Sequence, residues 1–244
     1  MTRILLAIAA LAMGLGVAQA DGPHQGRFNW SGLYLGANIG TVTDGGSTYT
    51  YTVAGNFEPA GRPRPNDMDG MLYGAQIGYQ YQLPVGLVVG VEAAALFGNT
   101  DALLLENPAP TGNDYRTTTD GGPIYIVAGR LGFALDRLLL YAKGGWAWTE
   151  TDFQATFYNR DGPMGSNGSQ VKIANTFEWD GFVWGAGAEF ALARNITVGV
   201  EYMRMDFGTS DVVTLKTTNS GITQEKLRAS HEIETVTARL NYRF

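Results

Sequence analysis

The stretch Val236-Thr237-Ala238-Arg239-Leu240-Asn241-Tyr242-Arg243-Phe244 alternates without a break. In an extended chain successive side chains point to opposite sides, so Val236, Ala238, Leu240, Tyr242 and Phe244 share one face while Thr237, Arg239, Asn241 and Arg243 share the other. Such a strand separates an apolar environment from a polar one. A second segment repeats the pattern, with Tyr73, Ala75, Ile77, Tyr79, Tyr81 and Leu83 opposite Gly74, Gln76, Gly78, Gln80 and Gln82. Six further segments follow it less cleanly, at about 30–40, 87–98, 123–135, 138–149, 178–192 and 196–207. In the last of these the apolar face of Ile196, Val198, Val200 and Tyr202 turns polar at Arg204 and Asp206, as expected where a strand leaves hydrocarbon.

The connections discriminate better than the strands. Pro84-Val85-Gly86, Asp136-Arg137 and Ala193-Arg194-Asn195 read as tight hairpin turns. The other four connections, roughly 41–69, 99–122, 150–177 and 208–233, are long and polar. Long and short alternate strictly. That sorting belongs to an outer-membrane barrel, with short turns inside, long extracellular loops and, for an even strand count, both termini in the periplasm. A soluble β-sandwich has no reason to sort its connections in this way. The expectation is an all-β, eight-stranded antiparallel up-and-down transmembrane barrel over residues 28–244. Phe97, Phe133, Trp146, Trp148, Phe182, Trp184, Phe190, Tyr202, Tyr242 and Phe244 sit towards strand ends on the apolar face, where interface girdles form.

The rest of the composition agrees. Residues 1–20 read as a cleavable secretory signal: Arg3 follows the start, Ile4 to Val17 is apolar, and Ala18-Gln19-Ala20 is a small-x-small cleavage site. Residues 21–27 then form a turn-rich periplasmic leader. The formal net charge of −6 becomes one unit more negative without Arg3, and no basic run exists, so nucleic acid is not an expected partner. Cysteine is absent, which excludes disulfides, thiolate metal sites and cysteine nucleophiles. Beyond residue 20 no apolar run is long enough for a membrane helix.

Phe28-Asn29-Trp30-Ser31-Gly32-Leu33-Tyr34-Leu35-Gly36-Ala37-Asn38-Ile39-Gly40 resembles the W-x-G-x-Y-x-G first strand of small porin-like outer-membrane proteins of alphaproteobacteria. That family includes major surface antigens and some haemin-binding proteins, and its barrel is similar to the membrane domain of OmpA. The ending, with Leu240, Tyr242 and Phe244, resembles the C-terminal signal read by the barrel-assembly machinery. The resemblance implies a Gram-negative outer-membrane location, with membrane lipids, lipopolysaccharide and that machinery as partners. A monomer is expected; the ligand of the extracellular loops is not encoded in any matched motif.

With the apolar face towards lipid, Glu92, Arg130, Lys143, Glu189, Glu201 and Arg239 point into the barrel, three acids against three bases. Gln76, Gln80, Asn38 and Tyr141 add hydrogen-bonding capacity, and inward glycines such as Gly78 and Gly187 leave room for long side chains. An eight-stranded interior is only wide enough for side chains to fill it, and buried charges persist when paired, so a polar plug is expected. The alternative is a gated ion path in which pairs swap partners, making a narrow porin-like channel. Other chemistry is sparse. His24 lies in the leader, and His231 in Ser230-His231-Glu232 has neighbours on opposite faces, which does not make a catalytic relay. No enzyme, catalytic residue or metal site is expected. Haemin, raised by the resemblance, would draw on His231, Tyr49, Tyr51, Tyr115, Tyr158 or Met164; no resident cofactor is expected. Residues 47–53 and 212–216 alternate as if strands extended above the membrane.

Overall fold

In a computed structural model of the chain, the described residues are 28–53, 56–59, 70–98, 102–106, 113–159, 170–215 and 225–244. The expected signal and leader, with Ala18, Ala20 and His24, lie outside them, as does Met164. Eleven strands are described: β1 Gly32–Val53, β2 Asn56–Pro59, β3 Met71–Gln82, β4 Leu87–Gly98, β5 Ala102–Glu106, β6 Asn113–Gly121, β7 Ile124–Leu135, β8 Leu138–Asn159, β9 Gln170–Ala191, β10 Ile196–Leu215 and β11 Glu225–Arg243.

Eight of them form a ring in the order β1-β3-β4-β7-β8-β9-β10-β11, every neighbour antiparallel. The ring closes where β1 pairs with β11, from Tyr34↔Arg243 upward. Closure leaves no free sheet edge in hydrocarbon, the condition under which strands can cross a bilayer.

The three tight turns lie at one end. Gly86 takes a φ of 89° and donates to Leu83 O at 2.9 Å, and Asp136 takes a φ of 53° between β7 and β8. Leu192 donates to Ile196 O at 3.0 Å to close the third. Outward side chains at barrel height are large and apolar: Leu35, Ile39, Val91, Leu131, Leu140, Val200, Leu240 and their neighbours are all exposed. Phe97, Trp146, Phe182 and Trp184 cap this band at the far end, and Phe133, Phe190, Tyr242 and Phe244 at the turn end. A twelve-residue strand such as β3, at about 3.3 Å per residue and a tilt of about 40°, covers roughly the hydrocarbon thickness.

The connections opposite the tight turns hold more strand than expected; the extensions read at 47–53 and 212–216 fall in β1 and, up to Leu215, in β10. β1 continues to Val53 and pairs with β2; β5 and β6 form a hairpin beside β8; β8 and β9 stay paired to Tyr158↔Gln170; β10 and β11 stay paired to Leu215↔Glu225. Much of 41–69, 99–122, 150–177 and 208–233 is therefore strand rather than loop. Outside those two runs both faces of the extensions leave the hydrocarbon, so hydropathy no longer alternates and periodicity does not reveal the ladder.

Candidate functional site: the sealed barrel interior

The middle of the barrel is a layer of paired charges. Glu92 from β4, Arg130 from β7, Lys143 from β8, Glu189 from β9, Glu201 from β10 and Arg239 from β11 all point inward and are 2–5 % exposed. Each strand delivers its residue because the two-residue period puts every second side chain in the lumen. Lys143 Nζ lies 2.9 Å from Glu92 Oε1 and 2.8 Å from Glu201 Oε1. Arg239 pairs with both Glu92 and Glu201 through its two terminal nitrogens. Arg130 Nη2 meets Glu189 Oε1 at 2.7 Å, and Arg130 Nη1 stands 3.5 Å from Glu92. Three acids and three bases cancel, and every carboxylate faces at least two cations at 4.0 Å or less.

Two tyrosines tie the layer together. Tyr34 donates to Glu92 Oε2 at 2.7 Å and accepts from Arg130 Nη1 at 2.7 Å. Tyr141 donates to Glu201 Oε2 at 2.8 Å, and the Arg130 guanidinium stacks 3.8 Å from its ring centroid. Each ring lies against a glycine. A Cβ on Gly78 would come within 2.3 Å of the Tyr34 hydroxyl, and one on Gly187 within 2.5 Å of the Tyr141 ring. Asn38, Gln76 and Asn241 form a hydrogen-bonded row beside the layer.

On the turn side of the charges the lumen is stoppered. Residues 28–31 fold across the barrel mouth instead of extending β1, which starts at Gly32. Trp30 is fully buried among Val88, Ala134, Leu139, Tyr141 and Ala191. Its indole donates to Asp136 O at 2.9 Å and its backbone N–H to Gln82 Oε1 at 2.8 Å. Arg243 donates to Asn29 O and Ser31 O at 2.8 and 2.9 Å, and its guanidinium covers the rings of Phe28 and Trp30.

On the other side the lining turns apolar. Leu72, Leu96, Ile124, Ile126, Val183 and Met205 are inward and at most 3 % exposed, and they pack with Trp179, Phe207 and Ile233. The expected polar plug therefore occupies the middle of the lumen and is joined by an apolar layer above it. An apolar lining excludes water as effectively as a charge network and needs no pairing. The structure brings the six charges together in one layer. The Trp30 stopper and the apolar layer do not follow from the strand pattern, although Trp30 shares the parity of Tyr34 and Asn38, and segment 123–135 is apolar on both faces.

His231 lies above the aromatic band, since Val236, five residues later, is level with Tyr202. It points into the barrel between Trp179 and Phe207, with ring centroids at 5.8 and 5.4 Å. Burial pushes its pKa down to about 4. Glu232 points outward to Arg204 at 2.6 Å. The Ser230-His231-Glu232 sequence thus does not converge in space. Among the described residues no group of three His, Asp or Glu side chains is placed to hold a metal ion.

The family model for the outer-membrane protein beta-barrel domain matches residues 7–244. The chain belongs to this family. It is 26 % identical to the 31 kDa outer-membrane immunogenic proteins of Brucella melitensis and Brucella suis, over 98 % of this chain and 95 % of each relative. Among solved structures it is similar to the outer membrane protein OprG from Pseudomonas aeruginosa, with a TM-score of 0.52 and 13 % identity over 91 % of this chain and 99 % of that one. That likeness concerns the fold alone. The protein is accordingly an integral outer-membrane β-barrel.

Proposed function

We propose that this protein is a closed, non-conducting barrel that anchors protruding β-sheets at the surface of a Gram-negative cell. The observation that carries the reading is the three-level seal: a tryptophan stopper, a neutral charge layer and an apolar layer stacked along one lumen. A hydrated ion would have to break paired charges and then cross a mostly apolar lining, where scattered threonine hydroxyls replace little of its hydration, each step costing on the order of several kcal/mol. The strands that lengthen beyond the upper aromatic band support an orientation with the long connections outside the cell and the tight turns and both termini in the periplasm.

The outward Leu240, Tyr242 and Phe244 support the reading of the C-terminus as a barrel-assembly signal. The continuous apolar belt supports lipid and lipopolysaccharide as its neighbours and a monomeric state. No catalytic role is assigned, because His231 is buried and turned away from Glu232. No resident haemin is assigned either, since the His231 imidazole is enclosed between two aromatic rings.

Reconstitution of the purified protein into a planar bilayer tests closure. The expected record is a flat baseline. Steady unitary steps that disappear on substituting Arg130 or Glu92 would establish a gated path through the charge layer and defeat the proposal.

A further inference from the structure

Above the membrane the barrel parts into two blades. β9 pairs with β10 only up to Asp206↔Phe182; beyond that point β9 stays with β8, and β10 stays with β11. Among the described residues, Gln170–Asp180 of β9 pairs with no strand on its β10 side. The unpaired groups can be assigned from the ladder. Ala191 donates its N–H to Arg137 O, and the β8–β9 register runs from Leu138↔Phe190 to Tyr158↔Gln170 without a shift. Odd-numbered β9 residues therefore bond to β8, and the N–H and C=O groups of Gln170, Lys172, Ala174, Thr176, Glu178 and Asp180 face the gap.

The two sides of the gap are not equivalent. β10 carries two register shifts in this region, between Asp206 and Thr209 and between Asp211 and Val213. Bulges of that kind blunt an edge against further pairing. β9 has neither a bulge nor a proline there. Beside it the outer sheet is acidic: Asp120, Asp152, Glu178 and Asp180 are exposed, with Asp120 opposite Asp152 and Glu150 opposite Glu178. Like charges placed directly across a ladder repel until counter-charge arrives. Lys172, at the distal end of the edge, is the one base placed on it among the described residues.

We propose that the free edge of β9 from Gln170 to Asp180 is a docking site for an extended, basic segment of another protein, which adds to the sheet as a further strand. Backbone hydrogen bonds would supply most of the affinity, and Lys or Arg at alternate positions would meet the acidic face. The inference rests on the reading that this end lies outside the cell. Labelling of Glu178→Cys on whole cells by an impermeant maleimide tests that reading alone, because the chain has no other cysteine.

The docking test uses the full chain in nanodiscs and a fluorescent peptide of about twelve residues alternating Lys and Thr, at about 0.15 M salt, where exposed charges are substantially screened. Saturable binding is expected, with slowed amide exchange across 170–180. Two changes should each weaken it about tenfold or more: Thr176→Pro, which removes an edge donor and the side-chain bond to Asp152 but no backbone bond to β8, and N-methylation of alternate peptide amides, which keeps the charge but blocks pairing. Absence of binding, equal binding of the N-methylated peptide, or an edge-to-edge dimer of the chain that the peptide does not dissociate would each overturn the proposal.

Discussion

Glu92 shows how the interior is held at the scale of a residue. Its two oxygens accept from Tyr34 and Lys143 and pair with Arg239, with Arg130 alongside. Glu92→Gln keeps the shape but leaves three bases facing two acids in a layer with almost no solvent. Breaking a buried pair in this way costs about 3–5 kcal/mol, and the guanidinium unfolding midpoint in detergent should fall accordingly. Arg204 bonds to Glu232 and Glu234 at 2.6 and 2.8 Å, yet it is half-exposed, and water replaces what substitution removes. Arg204→Gln should leave the midpoint where it was. Geometry alone does not separate these two glutamate-bound arginine sites; burial does.

His231 makes a second prediction at this scale. In an unfolded chain it titrates near 6.5, and in the folded barrel near 4. The folded state thus resists protonation, so its stability is full above about pH 6.5 and declines as the pH falls towards 4. The loss attributable to this group is up to about 3 kcal/mol. Unfolding midpoints compared at pH 7.5 and 4.5 should fall less in His231→Phe than in the parent. An identical fall in both would show that the imidazole does not titrate in this way.

Elements divide the labour between sealing and display. The segment at 28–31 is a stopper because Asp136, at the apex of the β7–β8 turn, accepts Phe28 N–H through its carboxylate and the Trp30 indole through its carbonyl. Arg243 grips the same segment from the last strand. Trp30→Ala removes a fully buried ring and should cost about 3–5 kcal/mol. It should nonetheless leave the bilayer record flat, since the charge layer and the apolar layer remain. Channel activity from that single change would place the whole seal in the stopper. At the opposite end, the 22-residue strands β8 and β9 outreach the twelve-residue β3 and β4. This difference in length raises two blades above a barrel whose other strands end near the upper aromatic band.

At the scale of the whole molecule the fold is a cylinder with one apolar outside and an inside of three chemistries. Closure between β1 and β11 makes the outside continuous, and the stacked seals separate the two ends of the lumen. On the proposed function, conductance and surface display are thereby uncoupled. Changes to the blades should alter partner binding without opening the barrel, and changes to the charge layer should lower stability without altering what the edge of β9 presents. Measuring peptide binding and bilayer current on the same Thr176→Pro protein checks this directly: the first should weaken and the second stay at baseline.

Strand number, the tight turns and the lipid-facing side were legible in the sequence, because a bilayer imposes a two-residue period that each strand must carry locally. The six inward charges were legible for the same reason: parity alone sends Glu92, Arg130, Lys143, Glu189, Glu201 and Arg239 to one side. Which acid meets which base was not, since partners up to 147 positions apart, such as Glu92 and Arg239, are brought together only by ring order and register. The Trp30 stopper depends on a turn more than a hundred residues away. The apolar inner layer escaped because an inward leucine and an outward leucine look alike until closure decides which side is inside. The divergence of β9 from β10 is likewise a property of the assembled ring, where a ladder ends because its neighbours pull apart and not because any local residue stops it.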